Sequence, residues 1–275
     1  MRISDFAKIP NPINGVLEVN VRSWEGLRLY TSLFASHKSH IFRGQANSNW
    51  PLITTLDRGI SNLRYGKYEY GEFYRDKDFF NVYKFLLNKF KESLRGRGVN
   101  FKDMSNDELW ALGQHYGLHT PLLDWSYSFY IALFFAFTSE KTNISSKSSF
   151  RSVYALGVFY EEFKTQMDYY NKEKEGYTKF KIVESTSNDN PRVINQAGLF
   201  TKLPFRFDIS QWTEDRFRGE SQRRYFIKIN IPDSERGNIL QELDLMNINS
   251  KTVYPDLIGS ALDCNYRLLT LPIVA

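Results

Sequence analysis

Cysteine is almost missing from this sequence: there is one, Cys264, which excludes an internal disulfide framework and fits a reducing compartment. Histidine is scarce as well, with four residues, and so few soft ligands leave little material for a structural zinc site. His115 and His119 stand four apart, yet Gly117 lies between them at an expected helix end, so no metal is expected. No apolar run approaches the ~20 residues needed to cross a bilayer. The opening MRISDFAKIP lacks the apolar core and small-residue cleavage site of a secretory signal. The expectation is a cytoplasmic protein with no membrane partner. There is also no Walker-type loop, and GRGVNF at residues 96–101 lacks the third glycine of a dinucleotide fingerprint.

What the chain does have is aromatic and basic character. It carries 22 Phe and 17 Tyr, and a formal charge of +5 with a pI near 9.0. Aromatics fill cores and also line sites that stack rings. The charge permits a polyanionic partner without demanding one. At 275 residues the chain can bury a substantial core, and one domain with insertions is expected.

Residues 1–22 read as an extended lead-in, since Pro10 and Pro12 oppose an early helix. Ser23 can cap a helix through Leu33, and residues 40–45 read as a short strand that stops at Gly44, where the missing side chain lets a ligand approach the backbone. The tyrosine-rich stretch 65–74 reads as surface. Val82, Phe85, Leu86, Phe90 and Leu94 fit one face of a helix that ends at Arg95-Gly96. Ser105 and Glu108 form a capping box for a helix reaching His115.

Polar and apolar demands meet in residues 114–137, QHYGLHTPLLDWSYSFYIALFFAF. Residues 129–137 are almost continuously apolar, a buried helix, and Asp124 stands where its cap is expected. Residues 145–149 read as a serine and lysine rich linker. Strands are expected at 153–159, 181–184 and 224–231, and at 192–201 with an interruption at Ala197-Gly198. Residues 172–176 read as an exposed charged segment. A helix bearing Ile239, Leu240, Leu243 and Met246 and a short last one over 257–262 complete the chain. With helices mainly early and strands mainly late, the fold class is α+β.

Arg43, Gly44, Gln45, Gln114, His115, Asp124, Trp125 and Gln196 gather at the ends of these elements, where binding and catalytic groups concentrate. Four of them also have a plain structural role available: a salt bridge for Arg43, a cap for Asp124, core for Trp125, a satisfied interior histidine for His115.

At these residues the chain resembles a known family. IFRGQANSNWPL at 41–52, with Leu56-Asp57-Arg58 behind it, is similar to the opening motif of the FRG domain, named for Phe-Arg-Gly. QHYGLHTPLLDWS and the apolar helix resemble its central motif, and NQAGLFT and YPDLIGS its late ones. His119 and Pro121 stand where that family often has Pro and Arg, so no role of a loop arginine carries over. The resemblance implies an FRG-like domain over 23–275 with insertions near 60–100 and 140–180.

A second resemblance, to the three-part plan of ADP-ribosyltransferases, rests on Arg43-Gly44, the segment 124–137 and Gln196. It implies an α+β domain with a mixed or antiparallel sheet and NAD as substrate. Arg43 would contact a ribose or phosphate, Gly44 the nicotinamide amide, and Trp125 or a nearby tyrosine the nicotinamide ring. Gln45 and His115 join the same cleft. Many such enzymes have Glu where this chain has Gln196, so Glu184 or Asp124 stands as the alternative carboxylate. The implied acceptor is a macromolecule, RNA or DNA ahead of protein. Arg216, Arg218, Arg223 and Arg224 are the candidate basic cluster for it. The implied setting is a toxin or phage-defence effector with a neutralising antitoxin protein. A non-catalytic nucleotide-sensing module is the alternative. A metal-assisted hydrolase or nuclease built on Asp124 is disfavoured, because no clustered carboxylates accompany it.

Overall fold

The computed structural model describes residues 9–35, 39–63, 76–98, 100–139, 148–184 and 191–270. In chain order these form β1 (Val16–Asn20), α1 (Trp24–Ala35), β2 (Ile41–Gln45), α2 (Thr55–Leu63), α3 (Asp76–Ser93), α4 (Asn106–His115), β3 (Leu122–Ser126), α5 (Phe129–Thr138) and β4 (Phe150–Leu156). There follow α6 (Glu161–Asn171), β5 (Lys181–Glu184), α7 (Pro191–Asn195), β6 (Gly198–Lys202), α8 (Ile209–Arg216), β7 (Phe226–Pro232), α9 (Arg236–Leu245), α10 (Ser250–Val253) and α11 (Leu257–Thr270). The strands make one mixed sheet in the order β1-β7-β4-β2-β3-β6-β5, parallel between β1 and β7 and antiparallel elsewhere. The fold is α+β. Among the described residues no helix is long and apolar enough to cross a membrane.

Several sequence expectations change at this level. Asp124 does not cap the apolar helix: it lies in β3, and Ser128 caps α5 by accepting from the Ile131 amide. Apolar Leu122, Leu123 and Trp125 make the preceding loop a strand because they find partners in β6. Residues 192–201 are not one strand, since α7 comes first and Ala197 turns the chain at φ 45° into β6. Val16–Asn20, inside the stretch read as a lead-in, is the edge strand β1. Helices α6 and α8 were not expected from local pattern, and α11 extends past residue 262 to Thr270. The tyrosine-rich stretch and most of the serine-lysine linker lie outside the described residues.

Three apolar clusters hold the sheet. On one face α1, α5 and α9 cover Phe42, Val153, Ile227 and Ile229. On the other, Phe163 of α6 and Trp212 of α8 pack on Ile41, Leu123, Trp125 and Leu199. Phe163 meets Trp212 at 5.2 Å, and Phe217 stacks on Tyr225 at 3.8 Å between ring centroids. Much of the aromatic excess is therefore core. The third cluster joins α2, α3 and α4 to Leu122, Val183 and Phe200.

Helix α5 is the central support. Its terminal carbonyls, which have no partner within the helix, are met by two arginines: Arg151 donates to Ala136 at 2.6 Å and Ser139 at 2.8 Å, and Arg236 to Phe137 at 2.9 Å. Cations at a helix C-terminus also complement its dipole. On the sheet side, a Cβ at Gly44 would overlap the Ala132 carbonyl oxygen and sit 2.6 Å from the Ala136 amide nitrogen. Gly44 is glycine because β2 lies directly against α5. Helix packing, not ligand approach, accounts for that residue.

Candidate active site

Strand β2 pairs with β4 at five register positions but with β3 at one, Phe42 opposite Ser126. Continuing that antiparallel register would set Gly44 opposite Asp124, yet no ladder forms there. Instead the Arg43 guanidinium donates to the Asp124 carbonyl oxygen at 2.7 Å, and the same Nη1 lies 3.6 Å from the Asp124 carboxylate. A side chain bridges the gap that a backbone ladder leaves.

The cleft at this opening has a volume of about 790 Å³, within the usual range for small-molecule sites. Arg43, Gly44, His115, Asp124, Trp125 and Gln196 all border it. Gln45 does not. It is buried, and its amide donates to Pro51 O at 3.3 Å. Alternation along β2 and β3 explains the arrangement. Phe42 and Gly44 face α5, whereas Ile41 and Arg43 face the α6–α8 side. Likewise Leu122 and Asp124 face α4, and Leu123 and Trp125 the opposite core.

The side chains differ in how free they are. The Asp124 side chain is 64% exposed, and Gln114 donates to its Oδ1 at 2.7 Å. The Arg43 side chain is only 16% exposed, and its Nε is buried with no hydrogen-bond partner. An unpaired buried donor of this kind calls for a reason. Trp125 is 4% exposed, with its indole N–H donated to Thr201 Oγ1 at 2.9 Å, so its ring belongs to the core and forms only a wall of the cleft. Gln196 is tied down: its side-chain amide donates to Val253 O at 3.3 Å, and its backbone carbonyl accepts from the Ser126 hydroxyl at 2.7 Å. Burial holds the His115 imidazole below its ordinary pKa, with the Arg192 charge adding to the effect.

Local sequence reading missed three contributors. Arg192 and Tyr254 border the cleft from α7 and the segment after α10, with the guanidinium 5.5 Å from the ring centroid. Phe135 of α5 meets Tyr254 edge to face at 6.1 Å. These two rings form an aromatic wall where Trp125 was expected to. Arg192 is held by Asp256 at 2.7 Å. Glu184, also on the border, accepts from the Tyr127 hydroxyl at 2.9 Å. Burial, then this carboxylate, push the Tyr127 hydroxyl up to about 12. Phe135 lies in the apolar helix and Tyr254 in a late motif, so of the three only Arg192 carried no sequence signal.

The expected basic cluster is differently employed. Arg218 pairs with Asp215, Arg223 with Glu162, Arg224 donates to Pro10 O, and Arg216 lies over the Tyr169 ring. No group of three or more His, Cys, Asp or Glu placed to hold a metal occurs among the described residues.

The cleft is built largely by the segment that has known relatives. Residues 38–145 match the family model of the FRG domain, so the chain carries this domain. That stretch supplies Arg43, Gly44, Gln114, His115, Asp124, Trp125 and all of α5. No curated protein and no solved structure matches the chain significantly.

Proposed function

We propose that this chain is an ADP-ribosyltransferase-like enzyme that takes NAD as a substrate and passes ADP-ribose to a macromolecule, nucleic acid ahead of protein. The observation that carries the reading is the opening of the sheet between β2 and β3, where Arg43 and the exposed Asp124 carboxylate meet at the head of the cleft. In such a reaction the bond from the ribose C1′ to nicotinamide breaks, nicotinamide leaves with the electron pair, and positive charge grows on the sugar. A fixed carboxylate in a partly enclosed site stabilises that charge. Asp124, oriented by Gln114, is suited to the role. Gln196 has no charge to offer and its amide is engaged.

The remaining lining fits the rest of a dinucleotide. Guanidinium forks suit phosphate or ribose oxygens, and among the described residues Arg43 and Arg192 border the cleft. The Phe135–Tyr254 wall offers a surface for a planar ring. Acting as an effector in a toxin or phage-defence setting, such a protein would need a neutralising partner, and its unopposed expression should arrest growth.

A second reading, a module that binds a nucleotide without reaction, is favoured by the internal pairing of Arg43 with Asp124 and of Arg192 with Asp256. Incubation with labelled NAD and cell extract separates the two. Label on nucleic acid or protein, with nicotinamide released, is the expected result. Recovery of intact NAD together with a raised Tm supports the second reading. Intact NAD with an unchanged Tm overturns both.

A further inference from the structure

One stretch of the chain, running from α3 toward α4, is strongly basic. From Lys84 to Asp103 there are six Lys or Arg residues and two carboxylates, Glu92 and Asp103, so these twenty residues carry a net charge of +4. Structurally they form one ridge: the outer face and C-terminal end of α3 and the turn leading toward α4. Lys89, Arg95, Arg97 and Lys102 are exposed along it.

A basic helix end is often only a solvated face that complements the helix dipole. One residue argues for more. Phe85 fits the apolar spacing of α3 and is expected in the core, but it is 61% exposed. The helix is held instead by buried Tyr83 and Leu87, with Val82, Leu86 and Phe90 packed beside them. The Phe85 ring therefore stands on the outside, with the Lys89 ammonium 5.9 Å from its centroid; Lys89 also pairs with Glu92 at 2.8 Å, an exposed pair that a strand's phosphates can displace. An aromatic face set among exposed cations is the combination that holds single strands, with stacking for a base and charge for the backbone. Among the described residues of α3 no second apolar ring is exposed beside Phe85, and one ring is too little apolar surface to anchor a membrane.

The ridge also adjoins the cleft. Lys91 donates to the Asn106 side chain at 2.9 Å at the start of α4. Met104, two residues beyond Lys102, borders the cleft together with Glu108, Ala111 and Leu112. We infer that the α3 ridge is a docking surface for single-stranded nucleic acid and delivers the acceptor strand to the cleft. The delivery step rests on the transferase reading; the binding does not.

The test measures fluorescence anisotropy of labelled oligouridylate and oligothymidylate with the full chain and no NAD. The variant Lys89→Gln/Arg95→Gln/Lys102→Gln should bind at least about tenfold more weakly, and the slope of log Kd against log salt should fall by about 2, as three lost contacts to a single strand require. Phe85→Ala should weaken binding by about five- to a hundredfold at unchanged salt slope. Arg218→Gln, away from the ridge, should bind as the parent does. Circular dichroism and NAD-induced Tm shifts report that the ridge variants are folded with an intact cleft. Equal binding by the parent and the triple variant overturns the proposal, as does binding to anionic vesicles but not to oligonucleotides. Preference for uridylate or for thymidylate identifies the natural strand as RNA or DNA. Oligonucleotide binding without any ADP-ribose transfer leaves the ridge standing and defeats the transferase reading. Transfer to nucleic acid that the triple variant retains in full does the reverse.

Discussion

The two flanks of β2 solve the same problem differently. Toward β4 the strand is laddered along its whole length and backed by α5, with no room even for a methyl group at Gly44. Toward β3 it is joined at one residue pair, and the next contact is a long, charged side chain. The closed flank derives its geometry from backbone packing, which has little tolerance. The open flank derives it from an ion pair and a few polar contacts, which can be exchanged for others. Rigidity on one side is what allows a defined opening on the other.

The sharpest way to break this contrast is Gly44→Ala. The added methyl group meets helix backbone, not a movable side-chain end, so destabilisation of at least about 3 kcal/mol is expected in urea unfolding. Loss of soluble protein would be the extreme form of the same result. If Gly44→Ala unfolds at the parent's urea midpoint, β2 is not pressed on α5 and the closed flank is wrongly described.

Two buried titratable groups, outside both flanks, give the next largest effect. His40, at the start of β2, donates from Nε2 to Arg224 O at 2.8 Å and is pushed down by burial from 6.5 to about 4. Asp57, on α2 beside the third core, is pushed up by burial from 3.8 to about 6, with hydrogen bonds to Thr54 and Arg206 opposing. The unfolded chain protonates His40 below pH 6.5 and the folded one does not until about 4, so this group makes stability rise with pH across that window. Asp57 works in the opposite sense: between about pH 4 and 6 the folded state holds the proton that the unfolded state has lost, so stability falls as pH rises. Each contribution is about 3 kcal/mol and they largely cancel. Relative to the parent, Asp57→Asn should steepen the rise of stability with pH, and His40→Gln should turn it toward a fall. Urea midpoints at a series of pH values check both signs.

Arg43→Met has the smallest expected effect on stability, about 1 kcal/mol, because Asp124 is largely exposed and water can replace the guanidinium. Its effect on the cleft should be complete, with the NAD-induced rise in Tm abolished. Arg43→Lys should not restore it, because an ammonium lacks the fork that can serve two acceptors. A parental NAD response in Arg43→Met would remove the open flank from the site.

Elements with strong local signals were legible in the sequence. The capping box of Ser105 and Glu108 forms as expected, and the apolar segment is α5. The α+β class holds, but the order that suggested it does not: β1 and β2 lie within the first 45 residues, helices and strands interleave, and the last three elements are helices. Misreadings occurred where a local rule and a tertiary contact competed. Asp124 has the right chemistry for a cap, but Ser128 is nearer the first orphan amides and Leu122, Leu123 and Trp125 find partners across the sheet. Trp125 is adjacent to a site residue in sequence and on the opposite face in space, as strand alternation requires. Arg192 carries no pattern at all; only the folding of α7 beside the segment after α10 brings it to the cleft. Arg223 shows the converse case, since its partner Glu162 lies 61 positions away and no local reading can subtract it.

The bridge from Arg43 to the Asp124 carbonyl also has a bearing on selectivity. A ligand that draws the guanidinium away leaves that carbonyl oxygen without its donor, at a cost of about 1–3 kcal/mol unless something replaces it. A bare anion such as sulfate brings no donor of its own and leaves that oxygen to water. A ligand that pairs an anionic oxygen with a neighbouring hydroxyl or amide N–H does not, because one end takes the arginine and the other the carbonyl. The cleft should therefore discriminate against small inorganic anions and in favour of molecules that carry phosphate and sugar or amide groups side by side.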